Sequence, residues 1–349
     1  MKVLKKNQIN TVKIVDNLRN GGLVIMPTET VYIAAVDATN YAAVQKLIKY
    51  KNRPFGKPFS VGVADIKMAQ GFVKMNQTAH NLYKNFYPGP VTIVCNGKHK
   101  VAPGIESELG TLGIFVTDHK LTIDVIKALN KPITTTSANA SYQPRPFSIP
   151  DLLKYLSDKQ KSLIDLIVDI GKVPFREAST VIDTTLDDPA VLRQGEIKIK
   201  DKIEILSRSE ENTQNIGKEL WQKFEKYLGQ RALVFALEGP MGVGKTVFTK
   251  GLARAIGIKD EVVSPTYNLE EEYDNGKLHH FDAWRIENTD ELNSLGFSKK
   301  ITDKTVIAIE WADRVTDEIR KYSEEAIIIW IKIKYARGEN ERIVSWGTL

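Results

Sequence analysis

The most explicit chemistry in the chain lies in Gly239-Pro240-Met241-Gly242-Val243-Gly244-Lys245-Thr246, which satisfies G-x-x-x-x-G-K-[ST]. Gly239, Gly242 and Gly244 let backbone N–H groups curl around phosphates, and the positive end of a following helix adds attraction. Lys245 is placed to reach the β- and γ-phosphates, and the Thr246 hydroxyl to ligate Mg²⁺. An apolar run at 232–237 precedes the loop and a helical run at 247–256 follows it. That strand–loop–helix context predicts nucleotide binding.

Three smaller constellations follow. Ser264-Pro265-Thr266-Tyr267 is placed where a segment sensing the γ-phosphate would lie. Asp282, within His280-Phe281-Asp282-Ala283-Trp284-Arg285, is a candidate to hold the metal directly or through water. The run 305–309 ends in Glu310-Trp311, and a strand's C-terminal end is where a phosphate-loop sheet carries its metal-binding or water-activating carboxylate. His279-His280 beside Asp282 offers no third ligand, so zinc is not expected.

The first half carries a series rather than one motif. Pro27-Thr28-Glu29-Thr30-Val31-Tyr32 follows a predicted strand with two hydroxyls and a carboxylate. Lys51-Asn52-Arg53-Pro54 is read as an extended turn whose cations at i and i+2 point the same way, suited to clamping phosphates. Tyr87-Pro88-Gly89-Pro90 is a rigid turn, and Thr134-Thr135-Thr136-Ser137-Ala138-Asn139 ends a strand with hydroxyls and an amide. Ser179-Thr180-Val181-Ile182-Asp183 and Val191-Leu192-Arg193-Gln194-Gly195 complete the set, Arg193 being either a phosphate cation or a partner of Asp187 or Asp188.

These residues need two frameworks. The 349 residues, 42% hydrophobic and 26% charged, suffice for about two domains, with disordered and collagen-like chains excluded. A lone Cys95 excludes a disulfide framework. No run approaches the ~18 apolar residues of a membrane span, and Met1–Lys6 lacks an apolar signal core, so no membrane partner and a cytoplasmic location are expected. Helical spacing at 10–19, 78–86, 121–129 and 150–156, and a helix capped by Asn40, alternate with apolar runs at 23–26, 59–64, 91–95, 112–116, 133–136, 166–168 and 180–182. That alternation predicts a mixed α/β sheet domain over 1–203. A second α/β domain over 204–349 begins with a helix carrying Ile216, Leu220, Phe224 and Leu228. The charges divide unevenly: residues 1–203 hold 28 Lys+Arg against 18 Asp+Glu, and the remainder 21 against 25.

Residues 205–349 resemble the TsaE family of small P-loop ATPases, on the phosphate loop, the SPT segment, H-x-D-x-[YW]-R and the EW pair in order. The resemblance implies a P-loop NTPase-like α/β domain in which Lys245 and Thr246 bind ATP-Mg²⁺. It implies Thr266 as switch threonine, Asp282 as metal-associated carboxylate, Glu310 as catalytic acid/base or metal organiser, and Trp311 as support for the nucleotide. Residues 8–200 are similar to the YrdC/TsaC family of L-threonylcarbamoyladenylate synthases, on Gly21-Gly22, PTETVY, Lys51-x-Arg53-Pro54, PGP, TSAN, STVxD and LRxG.

That second resemblance implies a twisted, mixed open sheet with helices, and synthesis of threonylcarbamoyl-AMP from L-threonine, bicarbonate and ATP. Lys51, Arg53 and Arg193 would meet the charge on the transferring and leaving phosphates. Ser137 and Asn139 would hold the phosphate and ribose region; Thr28, Thr30 and Tyr32 the threonine and carbamoyl pocket; Ser179 would lie near the phosphate. Together the two halves imply a fused protein of tRNA threonylcarbamoyladenosine formation, meeting tRNA indirectly and serving TsaD/TsaB-type transfer partners. Three positions depart from the pattern: Ile33 replaces a glycine, Phe115 a strand-borne arginine, and Glu177-Ala178 a glycine pair. Arg145 and Arg176 are the candidates to replace the missing cation. The competing reading is a catalytically weak, basic RNA-binding module fused to the ATPase.

Overall fold

The computed structural model describes residues 1–52, 57–141, 143–186, 189–195, 203–286 and 289–349. The chain divides into two compact units, Met1–Lys198 and Ile199–Leu349.

In the first unit, helix Thr11–Arg19 starts where the Asn10 side chain accepts from the Val12 N–H, and it buries Ile14, Val15 and Leu18. Helix Tyr41–Lys51 starts where Asn40 accepts from the Ala43 N–H and ends at Asn52 in the left-handed region. Two mixed sheets run between the helices. One orders Lys2–Lys5, Leu166–Asp169, Val24–Pro27, Tyr32–Ala35 and Thr136–Ser137. The other orders Ala190–Arg193, Thr180–Asp183, Gly89–Gly97, Thr111–Val116, Val61–Gly62 and Ile133–Thr134.

The apolar run 133–136 therefore does not form one strand. The chain changes sheet between Thr134 and Thr136, and the Thr134 hydroxyl stitches the change by donating to the Ala34 carbonyl at 2.9 Å and accepting from the Val36 N–H at 3.1 Å. The run 59–64 contributes only Val61–Gly62. Lys51 also departs from the expected extended turn. It is the last residue of a helix, because Leu47, Tyr50 and Lys51 continue the buried face begun by Ala43 and Val44.

The second unit is one seven-stranded sheet. Ala232–Glu238 lies at its centre, flanked in parallel by Val306–Glu310 and Ala326–Tyr335, with Leu278–Asp282 parallel beyond Val306–Glu310. Antiparallel strands extend both sides, and near-continuous apolar strands such as Ala232–Leu237 match burial on both faces. Val234, Ala236, Phe281, Ile307, Ile309 and Ile328 share one core cluster. Helix Glu210–Phe224 buries Ile216, Leu220 and Phe224, but a 3-10 turn, Glu225–Tyr227, ends it before Leu228. Among the described residues no helix is long and apolar enough to cross a membrane.

Candidate functional site

The phosphate loop joins central strand Ala232–Glu238 to helix Lys245–Ile256. Gly239 and Gly244 have φ of 153° and 109°, and a Cβ on Gly239 would stand 2.4 Å from the Ile333 carbonyl oxygen. No larger residue fits there. Lys245 donates to the carbonyls of Gly239 and Pro240 at 2.8 and 2.9 Å, and its Nζ lies 4.0 Å from the Trp311 ring centroid. Burial pulls its ammonium below the usual lysine range, opposed by Glu310, Asp282 and Asp313. The Pro240-Met241 pair leaves the backbone of the loop in use, since Pro240 accepts from Lys245 and Met241 from the Tyr335 hydroxyl.

The acidic residues converge on the same strand ends. Asp282 and Glu310 are register partners on neighbouring parallel strands, and both are buried. The Thr246 hydroxyl donates to Glu310 Oε1 at 2.7 Å, and His280 Nε2 lies 3.0 Å from the same oxygen. Asp282 Oδ2 accepts from the hydroxyls of Ser264 at 3.2 Å and Thr266 at 3.3 Å. Trp284 Nε1–H donates to the Thr266 carbonyl, fixing that segment over the strand ends. Lys245, Thr246, Thr266, Asp282, Glu310 and Trp311 thus form one connected group. Beside it, Gly242, Gly244, Val247, Arg208 and Arg342 line a cavity of about 380 Å³. His280, fully buried, is a further member; its spacing two residues before Asp282 on one strand was the available signal.

In the first unit, the Pro27-to-Tyr32 segment is a tight connection between antiparallel strands. The Thr28 hydroxyl donates to the Val31 carbonyl at 2.8 Å and lies 3.2 Å from the Thr30 hydroxyl. Tyr32 turns its hydroxyl to the Gly171 carbonyl at 2.7 Å while accepting from the Ile170 N–H, and burial raises its pKa. Lys51, 2% exposed, donates to the carbonyls of Ser137 and Asn139 at 2.8 and 2.5 Å. Lys51, Ser137 and Asn139 are therefore one cluster, in which a buried ammonium fixes the loop after strand Thr136–Ser137. Arg53 lies outside the described residues.

Arg193 donates through Nε and Nη2 to the carbonyl and the hydroxyl of Ser179, both at 2.9 Å, pairing two predicted residues directly. Gly195 completes this corner, since a Cβ there would meet the Ala178 carbonyl oxygen at 1.9 Å. Ile33 and Phe115, the two departures from the family pattern that lie in strands, are both buried. The sequence marks Glu29 only as a carboxylate at a strand end. It is 7% exposed; Oε2 accepts from the Thr117 hydroxyl, Oε1 has no partner, and burial pushes its pKa up to about 7.

Residues 16–195 match the family model Sua5/YciO/YrdC, described as "Telomere recombination", and residues 207–344 match "Threonylcarbamoyl adenosine biosynthesis protein TsaE". A Methanocaldococcus jannaschii protein is 31% identical over 207 residues, covering 57% of this chain and 94% of its own. The threonylcarbamoyl-AMP synthase of Bacillus subtilis is 34% identical over 189 residues, 54% of this chain and 53% of that protein. That of Pyrococcus abyssi is 29% identical over 230 residues, 64% of this chain and 66% of that protein. The structure of P. abyssi Sua5 complexed with L-threonine is alike in fold, with a TM-score of 0.53 at 21% identity, covering 94% of this chain and 98% of that one. Escherichia coli YciO is alike at a TM-score of 0.50 and 24% identity, over 57% of this chain and 97% of that one.

Proposed function

The chain belongs to the Sua5/YciO/YrdC family, and on that premise we propose that it carries two activities of tRNA threonylcarbamoyladenosine formation. Residues 1–203 join L-threonine, bicarbonate and ATP into threonylcarbamoyl-AMP. The threonine amine and bicarbonate condense to N-carboxythreonine with loss of water. A carbamate oxygen then attacks the α-phosphorus, the bond from that phosphorus to the bridging oxygen of the β-phosphate breaks, and pyrophosphate leaves. Residues 204–349 bind and hydrolyse ATP in support of a separate transfer complex of TsaD/TsaB type, which meets the tRNA. The observation that carries the reading is the presence in one chain of both matches, residues 16–195 and 207–344. Relatives named threonylcarbamoyl-AMP synthase and the L-threonine in a structure of like fold support the first half. Joining the modules raises the effective concentration of one at the other's partners.

The named side chains have definite tasks in this scheme. Negative charge gathers on the leaving pyrophosphate, and the cations of Lys51, Arg53 and Arg193 stabilise it. Lys51 is held by two loop carbonyls and Arg193 by Ser179, so both charges are placed before substrate arrives. Thr28 and Thr30 line the amino-acid side, with Tyr32 bonded to Gly171 as the wall that orients them. Ser137 and Asn139, whose carbonyls accept from Lys51, bring the nucleotide beside that ammonium.

In the second half, backbone N–H groups of residues 239–244 receive the phosphates, and Lys245 exchanges its two loop carbonyls for phosphate oxygens. The hydroxyl and carboxylate oxygens of Thr246, Asp282 and Glu310 form a hard donor set that suits Mg²⁺. Those residues would hold the ion, directly or through water, and it would supply charge neutralisation at the phosphates. Glu310 positions the attacking water, with Thr266 reporting on the γ-phosphate.

The test is the purified chain with L-threonine, bicarbonate and Mg-ATP, reading threonylcarbamoyl-AMP and pyrophosphate. Lys51→Ala is expected to lower threonine-dependent pyrophosphate release by about 10²–10³-fold, the usual loss for one preorganised electrostatic group. Absence of threonine-dependent release from the unmodified chain would sink the synthase reading.

A further inference from the structure

The loop after strand Thr136–Ser137 closes tightly on the end of strand Tyr32–Ala35. Ala138 N–H donates to the Tyr32 carbonyl at 2.8 Å, and eight residues later the Pro146 carbonyl accepts from the Tyr32 N–H at 3.2 Å. Phe147 is held in turn, its carbonyl accepting from the Val173 N–H at 2.8 Å. Pro144 and Pro146 flank Arg145 and restrict the backbone on both sides. The guanidinium carbon lies 5.7 Å from the Phe147 ring centroid, and that ring packs against Phe175 at 5.0 Å. Arg145 thus lies between two prolines, next to the Thr28–Tyr32 segment.

Its Nη1 is buried and has no hydrogen-bond partner. A guanidinium cannot shed its charge to escape this cost, and a buried donor left unmade is rare. Three other candidate cations of the first unit have partners: Lys51 on two carbonyls, Arg193 on Ser179, and Arg176 facing Asp118 at 3.9 Å. On the same loop, Asn139 donates to the Gln143 carbonyl but leaves Oδ1 buried without a partner. The loop therefore presents a cationic donor and a neutral acceptor, neither satisfied within the protein. Such a pair matches a ligand that offers an anionic oxygen to one and an O–H or N–H to the other.

We propose that Arg145 is a substrate-binding residue of the first unit, its Nη1–H donating to an anionic oxygen, carboxylate or phosphate, of the substrate. The proposal rests on the synthase reading above for the identity of the substrate. It assigns to the 139–147 loop the cation that strand Thr111–Val116 lacks at the buried Phe115. The half-buried guanidinium, over the Phe147 ring, has a planar fork that recognises either anion.

The experiment compares the full chain with its Arg145→Met and Arg145→Lys variants. All carry Lys245→Ala, so that the phosphate loop takes no part. KM for ATP and KM for L-threonine are measured by pyrophosphate release. Pyrophosphate and L-threonine binding are measured separately by calorimetry, without turnover. Arg145→Met is expected to raise one KM, and weaken the matching ligand, at least tenfold with kcat within threefold. Arg145→Lys recovers part of the loss. A change confined to ATP and pyrophosphate identifies a phosphate; one confined to L-threonine identifies a carboxylate. Unchanged KM values and unchanged binding of both ligands overturn the proposal. Should the parent chain turn nothing over yet bind pyrophosphate through Arg145, the synthase reading fails and the anion site stands. If Arg145→Met does not fold, as judged by far-ultraviolet circular dichroism, Arg145→Gln carries the same comparison.

Discussion

Glu29 makes the stability of the first unit depend on pH in a calculable way. Its carboxyl moves from an ordinary 4.5 to about 7 on folding, chiefly because burial removes water from the ionised form. Below pH 4.5 the group is protonated in both folded and unfolded chains and contributes no difference. As pH rises through the window from 4.5 to 7, the unfolded chain ionises first, and stability falls. Above pH 7 the cumulative cost is about 3 kcal/mol, at about 1.4 kcal/mol per pH step. Glu29→Gln removes the titrating group and keeps an oxygen to accept from Thr117, so its stability relative to the unmodified chain should improve by about 3 kcal/mol between pH 4.5 and pH 8. All 5 tryptophans lie beyond residue 203, so their fluorescence follows only the second unit. Hydrogen exchange of the amides in strands Val24–Pro27 and Tyr32–Ala35 reads the first unit directly. A difference between Glu29→Gln and the unmodified chain that stays flat from pH 4.5 to pH 8 would refute the reasoning.

Two further outcomes are expected. Lys245→Ala should abolish nucleotide binding by the second unit, read by calorimetry as loss of the heat of Mg-ATP binding. Threonylcarbamoyl-AMP synthesis by the first unit should continue, and its arrest would disprove the independence of the two sites. Gly195→Ala places a Cβ 1.9 Å from a backbone oxygen, so it should destabilise the first unit by at least ~2 kcal/mol. Exchange protection in strand Thr180–Asp183 equal to that of the unmodified chain would contradict this.

The phosphate loop was legible from sequence because its parts are consecutive. Six residues and the flanking strand and helix dictate one turn, whatever surrounds them. The same holds for the Asn10 and Asn40 helix caps, where a side chain meets a backbone amide two or three residues away. The mixed α/β class followed from apolar runs that burial then used as strands. The boundaries failed where the chain had to change partner: Thr134–Thr136 reads as one run, yet its ends pair in different sheets.

Contacts between residues distant in sequence needed the folded chain. Lys51 lies in a helix because the buried face of that helix extends to it, and its ammonium finds carbonyls 86 and 88 residues away. Glu29 meets Thr117 across 88 residues, and burial is the chief cause of its raised pKa. His280 reaches Glu310 across 30, and Arg145 keeps an unpaired donor beside Tyr32, whose N–H donates to the Pro146 carbonyl. Residue types and short spacings determined which chemistries this protein can hold. Which charges are paired, buried or left for a ligand was decided by tertiary packing, because desolvation and hydrogen-bond satisfaction depend on neighbours that the linear order does not name.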